Sequence, residues 1–138
     1  MTTRTADGTP HGLTANSFTS VSADPPLVLV CIDLRCSILE HFPTDGIFVI
    51  NVLGETQKDL SVRFATLPDD RFDGVAWHPG FHGAPTLDGA IGTFECRVLQ
   101  RIEAGDHVIL LGDVLKAHAG SGRPLVYFGR RYAELQKE

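Results

Sequence analysis

A run of uncharged hydrogen-bonding side chains, residues 14–22, is the first feature of this sequence that could do chemistry. It supplies the hydroxyl and amide groups of Thr, Asn and Ser, and no charged residue occurs from Gly12 to Ala23. Neutral donors and acceptors beside apolar residues are suited to a flat heterocycle with ring carbonyls and nitrogens. The open alternative is a solvated strand at a barrel edge, where Ser and Thr are common. Exposed edge strands, however, usually carry charges that this run does not have.

An anion-binding position is predicted after the next hydrophobic segment. Residues 27–34 form an apolar run typical of a central strand, and Arg35 follows it directly. Ser37-Ile-Leu-Glu40 has the pattern of a capping box, which predicts a short helix from Ser37 that stops before Pro43. A guanidinium and a helix N-terminus both bind phosphate. The two stretches together predict a site for a planar, phosphorylated ring system, and a flavin has that shape.

Three other patterns have simpler structural explanations. Gly120 and Gly122 are followed by Pro124 and a predicted strand, which indicates a hairpin turn rather than a phosphate loop. His78 and His82 are separated by Pro-Gly, which excludes a helical pair of metal ligands, and no nearby carboxylate pattern completes a site. The sequence has no Gly-x-Ser-x-Gly element for a serine nucleophile. We therefore predict neither a metal site nor hydrolase chemistry.

Length, charge and cysteine content restrict the class of protein. The 138 residues fit one domain, and a net charge of -5 without a basic cluster argues against nucleic acid as a partner. No apolar run reaches the length that crosses a bilayer, and the first residues lack the apolar core of a signal peptide. Three cysteines fit reduced thiols better than a disulfide framework. The sequence predicts a cytoplasmic protein without a membrane partner.

The elements that must position the candidate residues indicate an antiparallel β-protein. Asp7-Gly8 predicts a hairpin turn that pairs the first residues with residues 12–21. Asp24-Pro-Pro26 predicts a rigid extended corner. Further strands are predicted over residues 27–34, 47–53, 93–102, 106–115 and 124–128, a helix over residues 55–65, and an irregular loop over residues 68–85. Because strands do not alternate with helices, we predict an antiparallel barrel with helices over its openings.

The strand over residues 93–102 has a period of two at its start. Phe94, Cys96 and Val98 are expected to face the core of the protein. Glu95 and Arg97 are expected to face solvent for the same reason.

Six segments of the chain form a recognisable set when they are taken in order. They are GLTANSFTSVSADPPLVLVCIDLRCS, FVINVLGETQKDLSVRFA, RFDGVAW, GAPTLDGAIGTFECRV, AGDHVILLGDV and PLVYFGRRY. Together they resemble the flavin reductase-like, FMN-binding split-barrel family, which includes the reductase components of two-component flavin monooxygenases. The resemblance covers residues 3–135. It implies an all-β fold with minor helices, namely a six-stranded antiparallel split barrel, and a homodimer with flavin in a groove at the dimer interface.

The resemblance also implies an activity and a set of site residues. The activity is hydride transfer from NADH or NADPH to FMN or FAD, and the reduced flavin then passes to a separate oxygenase. The residues that the resemblance places around the flavin are Thr14, Ala15, Asn16, Ser17, Ser20, Val21, Cys31, Ile32, Asp33, Arg35, Cys36, Ser37, Phe64 and Ala65. Of these, Arg35 and Ser37 are the implied phosphate contacts. His107 is implied near the nicotinamide, and a strand-start histidine that bonds a turn is the open alternative.

The chain departs from the family pattern at both ends. The segment from Tyr127 to Tyr132 lacks the histidine that in the family often follows the first tyrosine. Arg130 or Arg131 could contact a nucleotide phosphate instead. Family members usually carry a helix and most of a first strand before the position of Thr2, so we expect either a short first strand here or the absence of that helix. Two other functions remain open: a non-catalytic barrel that stores or senses flavin, and an interaction protein whose barrel has lost its ligand.

Overall fold

The computed structural model describes residues 1–136 and consists almost entirely of antiparallel strands. The strands are β1 (Thr2–Arg4), β2 (Pro10–Gly12), β3 (Thr19–Ala23), β4 (Pro26–Asp33), β5 (Ile47–Val52), β6 (Trp77–Pro79), β7 (Pro85–Leu87), β8 (Gly92–Ala104), β9 (His107–Ala119), β10 (Val126–Phe128) and β11 (Arg131–Ala133). The main sheet has the order β2-β1-β5-β8-β9-β4-β3, and β6–β7 and β10–β11 form separate two-stranded ribbons. None of the helices within residues 1–136 is long and apolar enough to cross a membrane.

The mostly β architecture agrees with the predicted fold class. The seven-stranded sheet is not closed, and it is compatible with a split barrel. The sheet has seven strands because the strand predicted over residues 12–21 is split into β2 and β3, whereas the strand predicted over residues 124–128 forms as β10 in a separate ribbon. The predicted helix over residues 55–65 is confirmed as α1 (Lys58–Thr66), which follows the 3-10 turn Glu55–Gln57.

The first hairpin is confirmed, but its second strand, Pro10–Gly12, overlaps the predicted residues 12–21 only at Gly12, and residues 19–21 belong to β3 instead. Gly8 has a φ of 91°, a conformation that glycine adopts without steric cost, and it turns the chain between β1 and β2. Thr2 lies opposite Gly12, and the last backbone contacts of this pair of strands are the two 2.9 Å hydrogen bonds that Met1 and Leu13 exchange. Residues 14–18 then leave the sheet instead of extending it, and this departure frees them to form the wall of a cavity.

The predicted corner at residues 24–26 is wrong, because the chain makes a hairpin between β3 and β4. Ala23 lies opposite Pro26 across this turn. Pro26 is the first residue of β4, a position where a missing backbone N–H is tolerated. The apolar run after it is confirmed as β4, which lies between β3 and β9 in the sheet.

The helix predicted to start at Ser37 is also wrong. Only the 3-10 turn Leu39–His41 forms, and no side chain caps it. Leu39 and Phe42 are both buried, and residues three apart face the same side in a 3-10 turn. Arg101 holds the turn by donating to the carbonyl oxygens of Leu39 and Phe42. Burial of two apolar side chains thus prevails over the local capping pattern.

The core lies against β4, β5, β8 and β9. Among its fully buried side chains are Val30, Phe48, Val98 and Leu110. A Cβ atom at position 112 would lie 2.8 Å from Cζ of Phe48, so the glycine there allows the ring to pack on the backbone of β9. This close approach fixes how the two middle strands face the core.

The expectation that Glu95 faces solvent is wrong, because the β8–β9 register shifts between Glu95 and Cys96. Both residues are consequently buried. The Glu95 carboxylate accepts the backbone N–H of Phe81 at 2.9 Å and that of His82 at 3.0 Å, and the His82 ring nitrogen Nδ1 lies 3.1 Å away. Glu95 therefore anchors the loop between β6 and β7.

Replacing Glu95 with glutamine should lower the free energy of unfolding by about 1–3 kcal/mol at neutral pH. The glutamine NH2 group would face backbone N–H donors that the carboxylate now accepts. Although burial raises the pKa of Glu95, these hydrogen bonds outweigh it and hold the pKa below its ordinary value of 4.5. The stabilisation is thus complete above pH 4.5 and is lost as the pH falls through the folded-state pKa. Denaturant unfolding of both proteins across this range measures the difference.

The matched control is Asp88→Asn. Asp88 pairs with His78 at 2.8 Å on the same β6–β7 ribbon, but both side chains are largely exposed. Exposed pairs contribute at most about 1 kcal/mol, so this variant should change stability little. Equal losses in the two variants at neutral pH would contradict the anchoring role of Glu95.

Candidate functional site

A cavity of about 750 Å³ lies between residues 13–18, β5, α1 and the β10–β11 ribbon. Its volume falls in the range of roughly 300–1,000 Å³ that is typical of small-molecule sites. Five of the residues predicted to contact a cofactor lie on its wall: Thr14, Ala15, Asn16, Phe64 and Ala65. The structure thus brings the first part of the uncharged run together with the second predicted helix.

Two side-chain anchors hold the segment that forms one wall. The Thr14 hydroxyl donates to the backbone carbonyl of Ser61 at 2.6 Å. The Ser17 hydroxyl donates to the Cys31 carbonyl at 2.7 Å and accepts the Cys31 N–H at 3.1 Å. Ser17 thereby replaces the strand pairing that residues 14–18 lack. Asn16 lies between the anchors and is exposed, so it stands at the opening of the cavity.

The opposite wall depends on a close contact between α1 and β2. Phe64 is buried, and its Cε1 atom would lie only 2.6 Å from a Cβ atom at Gly12. The ring therefore lies directly on the β2 backbone, where only glycine leaves room. Phe72 meets the Phe64 ring edge to face at a centroid distance of 4.9 Å, which fixes the ring further.

Asn51 contributes a buried amide to the same cavity, but its hydrogen bonds are used within the protein. It accepts the N–H of Leu87 at 2.9 Å and donates to the Thr2 hydroxyl at 3.0 Å. That hydroxyl in turn contacts the Pro85 carbonyl at 2.5 Å. Asn51 therefore joins β5 to β1 and β7, and its role is structural.

Sequence reasoning named Arg130 or Arg131 as a nucleotide phosphate contact, but it did not assign the two tyrosines of the C-terminal ribbon to the site. Tyr127, Arg130 and Tyr132 line the cavity. The Tyr132 hydroxyl donates to the Ser61 hydroxyl at 2.9 Å, and the Tyr127 and Tyr132 rings meet at 5.1 Å. The tyrosines at either end of the sequence YFGRRY were the available signal, but their position depends on how the ribbon docks on α1.

The remaining predicted cofactor residues lie outside the cavity. They are Ser17, Ser20, Val21, Cys31, Ile32, Asp33, Arg35, Cys36 and Ser37. Ser17 is nevertheless joined to β4 through Cys31, as described above. Flavin contacts of these nine residues stay a prediction.

Arg35 is paired with a carboxylate rather than directed at the cavity. Its guanidinium donates to both carboxylate oxygens of Asp33, at 3.1 and 2.8 Å, and its side chain is 87% exposed. These hydrogen bonds hold the pKa of Asp33 well below its usual range. The same pairing raises the pKa of Arg35.

His107 belongs to this exposed group. It lies opposite Asp33 in the β4–β9 pairing, and its Nδ1 atom is 2.7 Å from the Asp106 carboxylate. Hydrogen bonding to His107 lowers the pKa of Asp106. This geometry matches the strand-start histidine that bonds a turn, and a contact with nicotinamide stays a prediction.

His78, His82 and the buried Cys96 occupy separate positions in the described part of the chain. Residues 1–136 contain no group of three or more His, Cys, Asp or Glu side chains placed to hold a metal ion. His78 and His82 bond to separate carboxylates, those of Asp88 and Glu95. Burial raises the pKa of the Cys96 thiol to about 12, which keeps that thiol protonated.

Comparison with known proteins gives a family match over the whole described chain. A family model described as "Flavin reductase like domain" matches residues 1–136. The chain is 44% identical over 136 residues to the "Actinorhodin polyketide dimerase" of Streptomyces coelicolor, covering 98% of this chain and 77% of that protein. It is 42% identical over 132 residues to the "Flavin-dependent trigonelline monooxygenase, reductase component" of Acinetobacter baylyi. That match covers 96% of this chain but only 43% of the relative.

A solved structure with the same fold is the NADH:FAD oxidoreductase of Streptomyces globisporus C-1027. The TM-score is 0.91 at 35% identity, and the match covers 99% of this chain and 78% of that one. The same oxidoreductase has also been solved in complex with NAD and FAD fragments.

Proposed function

This chain belongs to the flavin reductase-like family, and we propose that it is an NAD(P)H-dependent flavin reductase acting on FMN or FAD. We further propose that it supplies the reduced flavin to a separate monooxygenase, as the name of the Acinetobacter baylyi relative implies for that protein. Hydride donation by NADH is supported by the name of the structural relative from Streptomyces globisporus.

The observation that carries the proposal is the cavity beside residues 14–16. Its wall combines apolar side chains with neutral hydroxyl and amide groups and with the two tyrosines of the C-terminal ribbon. A planar ring system with carbonyls and nitrogens at its edge fits such a wall, since aromatic faces stack on it and neutral donors meet its edge. The residues present therefore fit a flavin.

When bound, the flavin would supply N5 as the acceptor for a hydride from nicotinamide C4. This transfer oxidises NAD(P)H and, with one proton from solvent, reduces the flavin by two electrons. The chain's own residues position the two rings and exclude water from between them. Among the described residues, the cavity wall carries no carboxylate or histidine side chain. We therefore expect no essential side-chain acid or base.

We also propose that the protein is a homodimer in the cytoplasm. Several large apolar side chains are exposed on the single chain, among them Val21, Leu34, Tyr127 and Phe128. Exposed apolar groups of this size commonly mark an interaction surface. Sedimentation velocity of the purified protein distinguishes the dimer from a monomer.

The test of the activity is anaerobic oxidation of NADH and of NADPH, with riboflavin, FMN and FAD added in turn. We expect oxidation of at least one nucleotide that depends on added flavin, together with bleaching of the flavin. A flavin that binds but never bleaches would favour the storage or sensing protein instead. Absence of both binding and oxidation would exclude the proposed function.

A further inference from the structure

Among the described residues, Arg130 is the only one that places a charged side chain on the cavity wall. The rest of the wall consists of apolar side chains, neutral polar side chains and the two tyrosines named above. Arg130 is exposed and also lines the cavity, so it lies at the opening rather than at the closed end.

The backbone and its neighbours hold Arg130 at this position. It has a φ of 63°, in the left-handed region, and it forms the tight turn between β10 and β11 with Gly129, whose φ is 59°. The ribbon is docked on α1 by the hydrogen bond from Tyr132 to Ser61. The ammonium group of Lys58 also lies 5.5 Å from the centre of the Tyr132 ring. The arginine is thus carried on an anchored turn and not on a free tail.

The contrast with two other arginines shows what is particular about Arg130. Arg35, the predicted anion contact, is paired with Asp33. Arg131, next in sequence, does not line the cavity. Among residues 1–136, Arg130 forms neither an ion pair nor a side-chain hydrogen bond within the chain. Its guanidinium donors therefore have no protein partner in that range.

We infer that Arg130 recognises a phosphate group of a nucleotide bound in this cavity. FMN, FAD and the pyridine nucleotides are anions, and the protein itself has a net charge of -5, which repels them. A guanidinium at the opening offsets this repulsion locally and binds phosphate oxygens through paired N–H donors. The inference rests on the proposed function. It adds to that function the residue that contacts the phosphate, namely Arg130 and not Arg131. The phosphate can belong to the flavin or to the pyridine nucleotide, and the test distinguishes the two.

The test compares Arg130→Asn with Arg131→Asn in the full chain. Asparagine tolerates the left-handed backbone of position 130, so the charge is removed without steric strain. Arg131→Asn removes the same charge one residue away, outside the cavity. Thermal unfolding of both variants confirms that they remain folded. Dissociation constants are then measured for riboflavin, FMN and FAD by fluorescence quenching and for NAD+ by calorimetry.

We expect Arg130→Asn to raise the dissociation constant of a phosphate-bearing ligand by roughly tenfold or more. The dissociation constants of Arg131→Asn should stay close to those of the wild type. A loss for FMN and FAD but not for riboflavin, which has no phosphate, assigns the flavin phosphate to Arg130. A loss for NAD+ with unchanged flavin affinities assigns the pyridine nucleotide instead.

Two results would overturn the inference, and they differ in what else they affect. If wild-type protein binds flavin and NAD+ but Arg130→Asn changes no affinity, the inference fails and the proposed function stands. If wild-type protein binds neither ligand, both fail together. An equal loss in Arg130→Asn and Arg131→Asn would indicate a general charge effect and would also overturn it.

Discussion

Replacing Ala65 with tryptophan should raise the dissociation constant for flavin by roughly 10–100-fold, if overfilling the cavity costs the usual one to three kcal/mol. Ala65 lies on α1, is exposed, and lines the cavity, so an indole at this position takes up space that the ligand needs. The fold itself should change little, because substitutions at exposed helix positions usually alter stability by no more than about 0.5 kcal/mol. Equilibrium dialysis with FMN or FAD measures the affinity.

The control for this prediction is Ala76→Trp. Ala76 is also exposed, but it lies in the loop before β6 and does not line the cavity. This variant should bind flavin as the wild type does. Wild-type affinity in Ala65→Trp would show that flavin occupies a different part of the surface, and the β3 and β4 residues outside the cavity would then be the next candidates.

The second large effect concerns stability rather than binding. Replacing Phe48 with alanine should lower the free energy of unfolding by about 3–5 kcal/mol, because it removes a large core side chain and leaves a void. Phe48 is fully buried on β5, and its ring packs against the bare backbone at Gly112. Since domains of this size are stable by only about 5–15 kcal/mol, such a loss should be plain in urea unfolding.

Two further variants test whether that contact is the cause. Phe81→Ala removes a phenyl ring that is 78% exposed, so its cost should stay below about 1 kcal/mol even though Lys116 lies over that ring. Gly112→Ala should destabilise the wild type, because its Cβ atom meets Phe48, but should cost less in the Phe48→Ala background. Strictly additive losses would contradict the proposed packing.

The elements that follow from local patterns were predictable from the sequence. An apolar run predicted β4, and the sequence over residues 55–65 predicted the helix that forms as α1. Asp7-Gly8 predicted the first hairpin because the conformation of a short turn depends on only a few neighbouring residues. The wall segment at residues 14–16 was also found, since its lack of charge is visible without a structure.

The features that depend on distant contacts could not be predicted in the same way. Ser37 has a sound capping pattern, but burial of Leu39 and Phe42 favours a 3-10 turn there. Glu95 is turned inward by a register shift that strand periodicity does not reveal. The position of Arg130 depends on how the β10–β11 ribbon docks on α1. The docking contact joins Tyr132 to Ser61, which are 71 residues apart in the sequence.

The two anchors of the wall segment have a consequence for how this protein can diversify. The hydroxyls of Thr14 and Ser17 contact only main-chain atoms, those of residues 61 and 31. Any amino acid other than proline presents the same atoms at those two places. The path of the segment between the anchors therefore does not depend on the side chains at positions 61 and 31, although the Ser61 hydroxyl also accepts the hydrogen bond from Tyr132 that docks the C-terminal ribbon. The exposed side chain of Asn16, which lies between the anchors on the cavity wall, can be exchanged in evolution or by engineering while the segment keeps its path.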